Sequence, residues 1–108
     1  MAKIPPDVYK AVKDYIERLK KEIPVDKAII FGSYAKGTPR KDSDVDLAIF
    51  SKFFEGKRRV EAISYLLSRV TDYTYDLEPI GYPLKAYYNR EDDPFVEEII
   101  TTGIELDI

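Results

Sequence analysis

The chain has no cysteine and no histidine, which excludes disulfides, thiol redox chemistry and the nitrogen and sulfur ligand sets that zinc prefers. Glutamine and tryptophan are also missing and asparagine occurs only at Asn89, while 34% of the residues are charged. Few thermolabile amides beside many charges is the profile of a chain that works hot. No apolar run is long enough to span a bilayer, and no secretory leader pattern stands at the start. A cytoplasmic protein with no membrane attachment is therefore expected. A basic surplus is lacking too: the net charge is −3, whereas a grip on nucleic-acid backbone normally shows an excess of Lys and Arg. No broad nucleic-acid surface is expected.

What is present is 108 residues with 44% apolar content, enough for one modest core. With no repeat, low-complexity stretch or long linker, a single domain over residues 1–108 is the expectation. Val8, Val12, Ile16, Leu19 and Ile23 recur at helical spacing between Pro5-Pro6-Asp7 and Pro24. Ala28-Ile29-Ile30-Phe31 reads as a buried strand, Ser33 to Lys36 as a short helix closed near Gly37, and Thr38 to Asp42 as a polar loop. A second strand starts at Asp44, and a helix from about Lys57 to Arg69 offers Val60, Ile63, Leu66, Leu67 and Val70 to the core. Alternation over Asp72 to Ile80 predicts a third strand, and a last helix opens near Asp93-Pro94 and stops at Gly103. The order α-β-α-β-α-β-α predicts a compact α/β (α+β) layer with helices flanking a small sheet.

The chemistry is concentrated in one pattern, G-S-x10-D-x-D, formed by Gly32-Ser33 and Asp44-Val45-Asp46. A Gly-Ser turn at the end of a strand can aim backbone N–H groups and a hydroxyl at phosphate oxygens. Asp44 and Asp46, two apart on a strand, share a face and stand roughly 6.6 Å apart at about 3.3 Å per residue. Two cations spaced about 3.5–4 Å apart, as in in-line phosphoryl displacement, fit between such carboxylates. Magnesium is the natural ion, since it favours carboxylates together with substrate phosphates. The plainer reading is a helix cap and two solvent-facing charges, but strands disfavour Asp, and here two share a face beside a phosphate-type turn.

The segment Gly32-Ser33-Tyr34-Ala35-Lys36-Gly37-Thr38 followed by Ser43-Asp44-Val45-Asp46-Leu47 resembles the signature of the minimal nucleotidyltransferases, in the DNA polymerase β-like superfamily. The ending from Pro94 to Leu106 is similar to that family's final helix and exit. The resemblance implies a mixed sheet and a third carboxylate on a later strand. Asp76 matches that position, with Glu78 on the same face able to assist or replace it. It also implies that Gly32 and Ser33 hold the β- and γ-phosphates of an NTP, that Asp44, Asp46 and Asp76 hold two Mg2+ ions, and that AMP moves from ATP to a hydroxyl with release of pyrophosphate. Lys36 stands where many members carry Arg, so a two-pronged phosphate grip there becomes a point-charge contact. Arg40 and Lys41 are the nearest cations in sequence to this site, able either to neutralise phosphate charge or simply to keep the loop soluble.

Nine tyrosines invite a base-stacking role for Tyr34, Tyr82, Tyr87 or Tyr88, although tyrosine at such spacing belongs more often to a core or an interface. A domain this small leaves no second domain to shape an acceptor site, so a partner and a homo- or hetero-oligomer are expected. Members of the family are commonly encoded beside helical HEPN toxins and act as their antitoxins, by modifying a toxin tyrosine or by binding; the resemblance implies the same partner here. Two other readings stand beside it. One is a catalytically idle nucleotide-binding or antitoxin subunit, with Tyr82, Tyr87, Tyr88 and Phe95 as its partner surface; the other is an aminoglycoside-type small-molecule transferase.

Overall fold

The computed structural model describes residues 4–37, 44–71 and 75–108. Helix α1 spans Pro6–Leu19, opened by a proline whose missing N–H costs nothing at that position. It stops four residues short of the stretch that the apolar spacing marks out. Ile23 is buried all the same, carried by the turn in which its N–H bonds to the Leu19 carbonyl at 2.9 Å. Next come β1 (Lys27–Phe31), α2 (Ser33–Lys36), β2 (Val45–Phe50), α3 (Arg59–Leu67) and β3 (Leu77–Tyr82). They are followed by α4 (Leu84–Tyr88), α5 (Pro94–Thr102) and a two-residue strand β4 (Ile104–Glu105). Beyond the expected alternation stand α4, in the segment of Tyr87 and Tyr88, and β4.

The sheet runs β3-β2-β1-β4 and is mixed, with β1 antiparallel to both β2 and β4, and β2 parallel to β3. Alternating side chains divide two packing layers. Ala28, Ile30, Val45, Leu47, Ile49 and Leu77 face Val12, Tyr15 and Ile16 of α1 and Ala62 and Leu66 of α3. On the opposite face, Ile29, Ala48, Phe50 and Tyr82 meet Val96 and Ile99 of α5, with Leu84 and Tyr87 of α4 beside them.

The expected stripe of α3 is corrected in part. Leu66 and Val70 are buried as read, but Val60 is 60% and Leu67 46% exposed, and Ala62 takes the inner position. The reason lies in β3, where a Cβ at Gly81 would stand 2.9 Å from the Ala62 Cβ, 2.9 Å from Phe54 Cε2 and 3.1 Å from Leu66 Cδ1. The helix fills the space over a residue without a side chain, and its smallest residue makes that approach. Third-strand pairing also begins later than the alternation suggests, at Leu77, so Asp76 lies just ahead of it.

Candidate active site

The apolar strand β1 ends at Gly32, whose φ of 75° and ψ of −148° belong to a region that side chains other than glycine's scarcely enter. That bend turns the chain directly into α2, whose Tyr34 and Ala35 are buried and anchor it. The helix closes after one turn at Gly37, itself left-handed at φ 74°. Ser33 is half-buried and Lys36 exposed.

The pairing of β2 with its two neighbours sets a row of side chains on the face that carries α5. Phe31 of β1 stands opposite Asp46 of β2, which stands beside Glu78 of β3. Asp44 precedes β2 and Asp76 precedes β3, and the two strands are joined there by the Val45 N–H donating to the Asp76 carbonyl at 2.8 Å. One carboxylate oxygen from each of Asp44, Asp76 and Glu78 lies within 4.8 Å of the others, on three exposed side chains. Asp46 stands apart from that trio. Its half-buried carboxylate is turned to the glycine bend, where Oδ2 would collide with any Cβ placed on Gly32. The two halves of the G-S-x10-D-x-D pattern are therefore in contact, and the acid from the later strand joins Asp44. Glu78 is a full member of the group, and its parity with Asp76 is the signal that reveals it. Arg40 and Lys41 lie outside the described residues.

Crowding shows in the titration of these groups. The carboxyl of Asp44 is held above its ordinary range, first by the hydrogen bond it shares with the Asp76 carboxyl, then by partial desolvation and repulsion from the same neighbour. Asp46 is raised by burial and then by the Asp44 charge, and Glu78 by desolvation and then by Asp76, Asp44 and Asp46. Acids that resist ionising beside one another gain from a cation. An all-carboxylate donor set, exposed and already drawn together, fits a hard divalent ion such as magnesium, which takes few protein ligands and leaves room for phosphate oxygens and water.

The model of the Nucleotidyltransferase domain family matches residues 12–103, most of the chain. The chain belongs to that family. This nucleotidyltransferase domain is also 29% identical over 100 residues to a protein of Methanocaldococcus jannaschii named "Putative protein adenylyltransferase", the match covering 86% of this chain and 96% of that one. Its fold is shared with the crystal structure of "a putative nucleotidyltransferase from Sulfolobus solfataricus", at a TM-score of 0.61 and 23% identity over 75% of this chain and 70% of the other. Among the described residues, no helix of the nucleotidyltransferase is long and apolar enough to cross a membrane. A hollow of about 550 Å³ beside Ile4, Tyr9 and Leu106 shares no residue with the carboxylate row. Tyr34 and Tyr82 are buried, the latter stacked on Phe50 at 5.4 Å, so those two rings belong to the core.

Proposed function

We propose that this nucleotidyltransferase moves AMP from ATP to a tyrosine hydroxyl of a helical, HEPN-type partner protein, releasing pyrophosphate and acting as the partner's antitoxin. The observation that carries the transfer is the meeting of Asp44, Asp76 and Glu78 within 4.8 Å, beside an Asp46 packed on the Gly32 bend. A protein acceptor and ATP as donor are supported by the name of the M. jannaschii relative.

In this reading the bend at Gly32 and Ser33 holds the β- and γ-phosphates, with Lys36 as a point charge near them. Asp44 and Asp46 would hold magnesium on the nucleotide side, and Asp76, assisted by Glu78, on the acceptor side. Bound magnesium supplies charge neutralisation for the triphosphate and a lower pKa for the acceptor hydroxyl. Asp76, whose carboxylate is exposed, takes the hydroxyl proton in this reading. The acceptor oxygen then bonds to the α-phosphorus while the bond from that phosphorus to the bridging oxygen breaks, and the electron pair leaves with pyrophosphate. The turn and the acids keep the three reacting groups in line, which is where most of the rate gain in such chemistry arises.

Label from α-labelled ATP, followed onto the partner in the presence of magnesium, tests the proposal. Asp44→Ala and Asp46→Ala should reduce transfer to background while the domain stays folded; transfer at the wild-type rate in either variant refutes the assignment. Asp76→Asn should retain ATP binding and lose chemistry. If Glu78→Gln is the damaging change and Asp76→Asn is harmless, Glu78 is the acceptor-side ligand.

A further inference from the structure

A smaller cavity adjoins the phosphate bend on the side of α5. A half-open hollow of about 210 Å³ lies between Gly32 and that helix, lined by Phe31, Lys36, Phe95, Glu98 and Thr102 over the buried Ile99. Phe31 and Phe95 meet edge to face, with centroids 6.1 Å apart and planes at 90°. Phe95 nevertheless remains 48% exposed, so one side of its ring is open. Among the described residues, the Glu98 carboxylate has no cation within 4.0 Å and accepts no hydrogen bond. The Thr102 hydroxyl donates to the Glu98 carbonyl at 2.7 Å, so toward the cavity it can only accept.

We infer that this cavity is the nucleobase subsite, in which Phe31 and Phe95 give the stacking surface and Glu98 selects bases that carry an exocyclic amine. The inference rests on the nucleotidyl-transfer reading and adds the base to it. Size favours a base: whole-ligand pockets run to about 300–1,000 Å³, and this one holds a flat ring system rather than an entire nucleotide. Charge divides the cavity: Lys36 at the bend draws phosphate, while the Glu98 carboxylate on α5 repels it and leaves that end to an uncharged group. Position ties the cavity to the same nucleotide, since Gly32 and Lys36 belong both to it and to the phosphate bend, and the nucleoside reaches it by folding back toward the triphosphate. Acceptors without donors at Glu98 and Thr102 suit the amino edge of adenine and oppose a carbonyl in its place, as in the hypoxanthine of ITP. Aromatic contact to a base is tolerant of ring type, so discrimination falls to Glu98.

Calorimetric titration of the full chain with magnesium ATP, magnesium ITP and magnesium inorganic triphosphate tests this, on wild type, Phe95→Ala and Glu98→Gln. Wild type should bind ATP about tenfold or more tightly than ITP. Phe95→Ala should weaken ATP roughly tenfold and leave triphosphate unchanged, and Glu98→Gln should erase most of the ATP preference over ITP. ATP affinity unaltered in both variants, while wild type still prefers ATP to triphosphate, overturns the subsite and spares the transfer reading. Equal weakening of ATP and triphosphate by Phe95→Ala also overturns it, because the effect would then be on the fold. Wild type that binds none of the three ligands sinks the transfer reading itself, and the subsite with it.

Discussion

Gly32 is held in place by two separate demands, and they can be pulled apart. Its backbone angles are essentially reserved for glycine, which costs other residues about 1–3 kcal/mol, and its missing side chain is the space taken by Asp46 Oδ2. Gly32→Ala should therefore lower the unfolding midpoint by several degrees, given that about 1 kcal/mol moves a domain of this size by roughly 4–8 °C. Nucleotide transfer should fall much further, since the added methyl must displace Asp46. The double variant Gly32→Ala with Asp46→Gly should recover part of the thermal loss and none of the activity. If the double variant melts no higher than the single one, contact with Asp46 is not the source of the strain. The same residue explains why this part of the site was readable: a Gly-Ser pair ending an apolar run is a local signal, and the Asp pair is one too.

Elements were legible where a signal is local and obscure where docking decides. The cap of α5 was visible as Asp93-Pro94, and Asp93 does accept from the Phe95 and Val96 N–H groups at 3.0 and 3.4 Å. Gly37 closes α2 where a left-handed residue was expected. The phase of α3 was not legible, because a nine-residue helix with Val60, Ala62, Ile63, Leu66 and Leu67 has two apolar faces and its own sequence does not choose between them. Gly81, on a strand some twenty residues later, makes the choice. The cavity beside α5 was hidden for a similar reason, since Phe31 reads as one more core residue until α5 is laid over it. Gly81→Ala tests the docking: its methyl overlaps Ala62 and Phe54, and overpacking of that kind costs about 1–3 kcal/mol. Chemical denaturation should show a lower midpoint with little change in slope. Reducing Ala62 to glycine in the same chain should return part of the loss, and no recovery would mean that α3 is positioned by other contacts.

At the scale of the molecule, sheet pairing brings Asp44, Asp76 and Glu78 together with Asp46 beside them, and the folded state bears the consequence. Asp44, Asp46 and Glu78 are all raised above their ordinary values. At low pH they are protonated in both states and cost folding nothing. As pH climbs past about 4, the unfolded chain releases protons that the folded site still holds, so this cluster makes stability fall until the raised values are passed. Asp7 and Glu61 are shifted downward, by the Tyr75 hydroxyl and by the Arg58 N–H respectively, and they tilt stability the other way below that window, where stability rises with pH up to about 4. A difference between variants removes that background. Asp44→Asn should melt higher than wild type near pH 7 in metal-free buffer and equal to it near pH 3.5. Magnesium should then raise the wild-type midpoint at pH 7, progressively less toward pH 4 as protons compete for the same oxygens, and raise Asp44→Asn little at any pH. A magnesium shift of equal size in the two proteins at pH 7 would place the ion away from Asp44, and with it the proposed nucleotide-side metal site.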